Sequence, residues 1–260
     1  MIVTNNNQIK PTYSVLAQIY DDVMIGVDYE TWTDYIDEII YQYHPDAVSV
    51  LELACGTGTM ALSLEELAAY DITATDGSEE MIQVAKQKAE KARSDVEFLT
   101  RNFLDLKMDQ TFDVVFMVFD SLNYLHSEED ILKMHSEVKK VLNPGGIFIY
   151  DFTTPRNSRI AIKHLNDESK RINNLYRYHR KSSYNAKKRE HTNRFKIEKL
   201  GKESGNVAET FHEKHLQKIY TLPEIENIIK KTEFSILNAF DGFALEPAHE
   251  KSLRITMVLQ

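Results

Sequence analysis

The chain has a single cysteine, Cys55, in 260 residues, so no intrachain disulfide can form and a closed zinc site built on thiolates is excluded. Long hydrophobic runs are also missing. The longest, Val114 to Phe119, has six residues, far short of the ~20 that a membrane-spanning helix needs. The opening stretch MIVTNNNQIK lacks the apolar core of a secretory signal, so a cytoplasmic location is expected. No internal repeat or low-complexity tract is visible. Positive charge is in deficit, 31 Lys and Arg against 40 Asp and Glu, for a net −9. What is present is the balance of a soluble globular protein: 42% hydrophobic and 27% charged residues. The length suits one α/β domain with an insertion, or one domain with a small subdomain.

The net charge conceals a split. Between Arg156 and Lys202 stand 15 Lys and Arg against 4 Asp and Glu, a local charge of +11. Elsewhere 16 Lys and Arg face 36 Asp and Glu, which is −20. Such asymmetry marks a distinct module or a contact surface for an anion.

Hydrophobic periodicity predicts helix over 13–43, with a break at Gly26, and then a buried strand Val48–Leu53 that runs into Cys55-Gly-Thr-Gly-Thr59. A helix at Met60–Tyr70, a strand at Ile72–Thr75 and a helix from Ser78 to about Arg93 follow. Ser78 is a candidate N-cap, with Glu79 and Glu80 in the first turn. Strands are expected at Val96–Leu99 and Phe112–Phe119, then a helix opened by Ser127 and closed at Leu142. Asn143-Pro-Gly-Gly146 punctuates before the strand Ile147–Asp151. Strands alternating with helices indicate a parallel sheet covered on both faces. The pattern changes after Phe152: residues 171–220 look extended, with a hairpin turn at Gly201–Asn206. It resumes at the Thr221–Glu224 capping box, with a helix to Lys231, a strand near Phe234–Phe240, a turn at Asp241-Gly242 and a last strand Ser252–Leu259. The expected units are a helical cover at 1–45, an α/β core at 46–152, an inserted mostly-β segment at 153–220 and core-completing elements at 221–260.

Gly56-Thr57-Gly58 lies between a buried strand and a helix start, where glycine lets the backbone turn tightly and approach a ligand. Twenty residues on, Asp76 ends the next strand, where an acid can accept both hydrogen bonds of a ribose diol. Gly56, Gly58 and Ala61 also fit the dinucleotide fingerprint. Glu52, inside the strand, argues against that reading, because its charge would repel a pyrophosphate. A cationic ligand such as S-adenosylmethionine, with an ammonium, a sulfonium and no phosphate, would be attracted.

The stretches VLELACGTG (Val50–Gly58), TATDGSEEMIQVA (Thr73–Ala85), FDVVFMVFDSLNYL (Phe112–Leu125) and VLNPGGIFIYDF (Val141–Phe152) resemble successive motifs of class I S-adenosylmethionine-dependent methyltransferases. YSVLAQIYDDVM and DYETWTDYI near the N-terminus, and ETFHEKHLQKIY later, resemble a bacterial small-molecule-type subgroup. The resemblance implies a Rossmann-like, doubly wound, mostly parallel sheet with an inserted antiparallel β subdomain, and S-adenosyl-L-methionine as cofactor. By that match Glu52, Ala54, Cys55, Gly56 and Gly58 line the methionine end. Asp76 and Gly77 meet the ribose, and Met81, Asn102 and Phe103 the adenine. Phe119 and Asp120 stand beside the sulfonium. Tyr13, Tyr20 and Trp32 match aromatics that cover the cofactor. Asn102 replaces the usual Asp, though its side-chain oxygen still accepts hydrogen bonds. Asn123 and Tyr124 lie in a stretch similar to one that lines donor and acceptor.

Methyl transfer asks a protein to align donor and acceptor and exclude water; a general base is needed only for an acceptor that arrives protonated. Tyr20, Tyr124, Glu213 and His215 are the candidates, and strand alternation points Glu213 and His215 to one face. The alternative there is a cross-strand polar cluster tying the insertion together. Scattered histidines make a metal site improbable, and Cys55 reads as a small packing residue. Trp32 reads equally as core. For the basic segment three readings stand: a solvated face, an anionic small-molecule acceptor met by Arg177, Arg180 or Lys218, or RNA, which the acidic remainder of the chain disfavours. The expected protein is a monomer or homodimer acting on a small nitrogen or oxygen acceptor. RNA methylation and binding of S-adenosylmethionine without catalysis are the alternatives.

Overall fold

The computed structural model describes residues 7–172, 174–201 and 204–260, so Lys202 and Glu203 of the expected hairpin turn lie outside the described residues. In chain order the elements are β1 (Asn7–Ile9), a 3-10 turn at Leu16–Ile19, α1 (Tyr20–Val23), α2 (Tyr29–Tyr43), β2 (Ser49–Leu53), α3 (Thr59–Glu65), β3 (Asp71–Asp76), α4 (Glu79–Ala92), β4 (Glu97–Thr100) and β5 (Phe112–Met117). A second 3-10 turn at Ser121–Tyr124 leads to α5 (Glu128–Val141), β6 (Leu142–Thr153), α6 (Pro155–Leu165), β7 (Glu168–Ile172), β8 (Tyr176–Asn185), β9 (Glu190–Leu200) and β10 (Val207–Lys218). The chain ends with α7 (Leu222–Ile229), β11 (Ile236–Asp241) and β12 (Arg254–Leu259).

Seven strands form the main sheet in the order β11-β12-β6-β5-β2-β3-β4, parallel from β4 to β6 and antiparallel at β12 and β11. Side chains alternate across it. Val50, Val114, Phe116 and Ile149 pack under α2, α3 and α4 on one face. Leu51, Leu53, Val115, Met117 and Phe148 pack under α5 and α7 on the other. Strand order reverses between β2 and β5, and the carboxyl ends of the strands there are where an open α/β sheet leaves a crevice.

The second sheet is β10-β9-β8-β7, antiparallel throughout, with β1 added in parallel along β10. Its inner face carries Tyr178, Phe195 and Ile197, which pack on Leu16 and Ile19 of the N-terminal segment. Its outer face carries exposed Arg177, Lys181, Arg194, Lys196 and Lys214. Helix over 13–43 is only partly realised. Tyr13 has a left-handed φ of 63°, and helix begins at Leu16. Helix α6 was not expected from the sequence, although its start carries a signal. Thr154 accepts from the Asn157 N–H, and Pro155 occupies the first turn.

Candidate active site

A cavity of about 380 Å³ opens over the carboxyl ends of β2, β3 and β5. Glu52, Ala54, Cys55 and Gly56 form its floor, Asp76, Gly77 and Met81 one side, Asn102 and Phe103 the rim, and Phe119 and Tyr124 the far side. Tyr13, Tyr20 and Tyr29 cover it. Tyr29, Thr12, Ser78 and Ser121 also line it; Tyr29 and Ser121 lie within motif stretches and Ser78 is an N-cap, whereas Thr12 carries no sequence signal. Backbone strain gathers here: Tyr13, Ala54 and Phe119 all have φ between 52° and 63°, a conformation unfavourable for residues with a Cβ.

The glycine loop is shaped by close approach. Gly56 has φ of 55°, and its N–H donates to Asp76 Oδ2 at 2.9 Å. Asp76 Oδ1 accepts from the Ser78 N–H at 2.8 Å. Each Asp76 oxygen keeps a lone pair for a ligand diol. Burial pushes the Asp76 carboxyl above its ordinary range, against the pull of those two hydrogen bonds. Gly58 works differently. It lies outside the cavity wall, caps α3 at φ 76°, and a Cβ there would sit 2.5 Å from the Phe98 ring. It shapes the loop from behind, against Phe98, and is not part of the cavity wall.

Glu52 is 2% exposed, and its Oε2 has no hydrogen-bond partner. Burial raises its pKa well above the carboxylate range, as a buried acid without a cation requires. A ligand ammonium would supply the missing partner. Asn102 Oδ1 already accepts from the Leu104 N–H at 2.8 Å, leaving one lone pair. Burial raises the Cys55 thiol as well, which makes it a packing group and not a nucleophile.

A second cavity of about 300 Å³ lies between the main sheet, α6 and the inner face of the second sheet. Tyr13, Tyr20 and Tyr124 belong to the walls of both cavities. Across this shared wall runs a hydrogen-bonded chain. Tyr13 Oη and Tyr124 Oη are 2.6 Å apart, Tyr124 Oη is 3.1 Å from His215 Nδ1, and His215 Nε2 is 3.3 Å from Glu213 Oε2. Glu213 also accepts three backbone N–H groups, those of Tyr13 at 2.8 Å, Val15 at 2.7 Å and Leu16 at 2.9 Å. It therefore faces His215 as an acceptor, places the ring hydrogen on Nε2 and leaves Nδ1 to accept from Tyr124. Glu213 is thus a positioning group. Burial raises Tyr13, Tyr20 and Tyr124 above the ordinary phenol range, so Tyr20 covers the cavity as a neutral phenol and not as a tyrosinate base.

Several expected site residues stand elsewhere. Trp32 is 4% exposed and packs at 4.5 Å ring distance on Phe119 and 4.6 Å on Phe243, one layer behind the cavity. Asp120 pairs with Arg254 at 2.7 Å and lines the second cavity, not the first. Asn123 is wholly buried. Its amide donates to the Lys218 carbonyl at 2.8 Å and accepts from the Thr153 N–H at 2.9 Å, a strut between the sheets. Of the three cations expected to meet an anion, Arg177 is on the outer face paired with Glu198. Lys218 donates to the Lys188 carbonyl. Arg180 does line the second cavity, already paired with Glu168. Among the described residues no group of three or more His, Cys, Asp or Glu is placed to hold a metal, and no helix is long and apolar enough to cross a membrane.

A doubly wound sheet ended by an antiparallel strand pair, with a glycine loop after β2 and an acid at the tip of β3, is the class I S-adenosylmethionine-dependent methyltransferase fold. Residues 50–146 match the methyltransferase domain family. Bacillus subtilis YqeM, provisionally named a methyltransferase, is 34% identical over 54% of this chain and 54% of its own length. The cypemycin N-terminal methyltransferase of a Streptomyces species is 33% identical over 42% of this chain and 44% of its own. The chain thus spans about half the length of the curated relatives it matches. Among solved structures, an S-adenosylmethionine-dependent methyltransferase from Clostridium acetobutylicum superposes with a TM-score of 0.76 at 24% identity, covering 95% of this chain and 98% of that one. CalS10, an amino pentose methyltransferase from Micromonospora echinaspora, superposes at 0.68 with 15% identity, covering 93% and 96%.

Proposed function

We propose that this chain is an S-adenosylmethionine-dependent methyltransferase acting on a nitrogen or oxygen of a small molecule held in the second cavity. The observation that carries this reading is the wall of Tyr13, Tyr20 and Tyr124 common to both cavities. It would bring a donor over the glycine loop and an acceptor beneath the second sheet to the same few ångströms. The residues present suit the cofactor: Glu52 Oε2 lacks a partner, and Asp76 offers two oxygens.

S-adenosylmethionine supplies a methyl carbon already activated by the sulfonium. The protein's share is to align, to exclude water and to receive a proton from the acceptor. His215 Nδ1, reached through Tyr124, is the group placed for that proton, and Glu213 would stabilise the imidazolium. A module that only bound the cofactor would have no use for this chain across the wall. RNA methylation finds less support, since Arg177, Lys181, Arg194 and Lys196 of the insertion lie on the outer face of its sheet, turned away from both cavities.

Calorimetry with S-adenosylmethionine and S-adenosylhomocysteine tests the reading; failure to bind either would overturn it. With an acceptor in hand, Tyr124→Phe is expected to keep its affinity for S-adenosylhomocysteine and to lose about 10²- to 10⁴-fold in turnover. A near-normal rate would remove the relay.

A further inference from the structure

Beside the Arg254–Asp120 ion pair, three further buried polar atoms on the wall of the second cavity have no hydrogen-bond partner: Ser158 Oγ, His191 Nε2 and Arg180 Nε. They come from α6, β9 and β8, so no single element's geometry accounts for the coincidence. Ser158 is 1% and His191 4% exposed, and polar atoms so buried ordinarily have partners.

The charges of the same cavity are already balanced. Arg180 pairs with Glu168, and Arg254 with both Asp120 and Asp151. Asp120 itself lines the cavity. An anionic ligand would therefore meet the Asp120 carboxylate and guanidinium groups whose charge is already paired. Burial holds the His191 imidazole below its ordinary pKa, helped by Arg180 and against the pull of Asp120 and of a hydrogen bond with Asn193, which leaves it neutral.

We infer that Ser158, His191 and Arg180 form a hydroxyl-recognition edge, and that the acceptor is an amine bearing hydroxyl groups and no anionic group. A hydroxyl both donates and accepts. It can take the Arg180 Nε hydrogen, bond to a neutral imidazole nitrogen in either tautomer, and exchange a hydrogen with Ser158. The amine follows from the opposite wall, where Tyr124 and His215 stand ready for a proton that an ammonium group would bring. The inference rests on the methyltransferase reading and deepens it, since it says what the second cavity selects.

The test uses the full chain saturated with S-adenosylhomocysteine. Serinol, D-glucosamine and D-galactosamine are titrated by calorimetry beside cyclohexylamine, which lacks hydroxyls, and D-glucosamine 6-phosphate, which adds an anion. At least one hydroxylated amine should bind about tenfold or more tightly than both controls. Ser158→Ala and His191→Phe should each weaken that binding by roughly three- to tenfold, the loss of one hydrogen bond. Neither should change the affinity for S-adenosylhomocysteine, and unliganded Ser158→Ala should melt no lower than the parent, because its hydroxyl has no partner to lose. Equal binding of cyclohexylamine or the phosphate ester, unchanged affinity in both variants, or no binding by any hydroxylated amine would overturn the inference while leaving the cofactor reading intact. Loss of S-adenosylhomocysteine binding in the parent chain would overturn that reading and this inference with it.

Discussion

Glu52 shows how much one residue can state about a ligand. A buried carboxylate with one oxygen unpartnered costs free energy until a cation arrives. Since burial raises its pKa, a cationic ligand that restores ionisation must displace a proton. Affinity for S-adenosylhomocysteine should therefore fall as pH falls through the raised Glu52 value. Calorimetry in phosphate and in Tris should report proton release. Glu52→Gln should abolish the release and weaken binding by roughly tenfold, the scale of a charge-assisted hydrogen bond; identical proton counts in parent and variant would discard the assignment. Glu52 was legible because its charge stands inside an apolar strand beside a glycine loop. Trp32 was not. An aromatic at helical spacing fits a core and a ligand cover equally, and only the position of Phe119 and Phe243 decides between them.

At the scale of elements, the N-terminal segment is held over the first cavity from two sides. Asp21 of α1 accepts from Thr57 Oγ1 at 2.5 Å and pairs with Lys88 of α4 at 2.9 Å. Glu213 of β10 gathers three N–H groups from residues 13–16. These are the free donors at the start of the 3-10 turn, so the carboxylate acts as a cap supplied from 197 to 200 residues away. Glu213→Ala should expose them. Expected outcomes are faster hydrogen exchange at Val15 and Leu16, and weaker S-adenosylhomocysteine binding together with reduced turnover. Tyr124→Phe, by contrast, should reduce turnover alone. Unchanged exchange in Glu213→Ala would argue that the carboxylate holds nothing. The shared face of Glu213 and His215 follows from strand alternation. Their partners do not, because nothing local in the sequence reports that Tyr13 and Tyr124 fold against them.

At the scale of the whole molecule, the basic insertion resolves into two unlike faces of its own sheet. The insertion turns its uncharged and aromatic residues inward and many of its cations outward. The core carries a different electrostatic liability in His135, 1% exposed among Phe148, Tyr150 and Phe234. Burial holds its pKa down to about 4, and Nδ1 bonds the Ile131 carbonyl. An unfolded imidazole takes a proton near pH 6.5. Between those values the unfolded chain binds more protons, so folding stability falls as pH drops from about 6.5 to about 4. Urea unfolding at pH 7 and pH 4.5 should show a loss that is about 2 kcal/mol smaller in His135→Phe than in the parent. The same loss in both would mean that His135 does not govern the acid limb.

The sequence by itself determined the alternation of strands and helices, the glycine loop and the acids flanking it. These are local quantities, set by side-chain period, backbone freedom and the order of residues along one strand–turn–helix unit. It also determined that residues 171–220 would be mostly extended. Tertiary structure alone decided that β1 joins β10, that Asn123 is a strut and Gly58 a packing contact, and that many of the insertion's cations turn outward. It alone brought Ser158, Arg180 and His191 together. Such outcomes depend on which faces meet across tens or hundreds of residues, and neither periodicity nor composition contains that information.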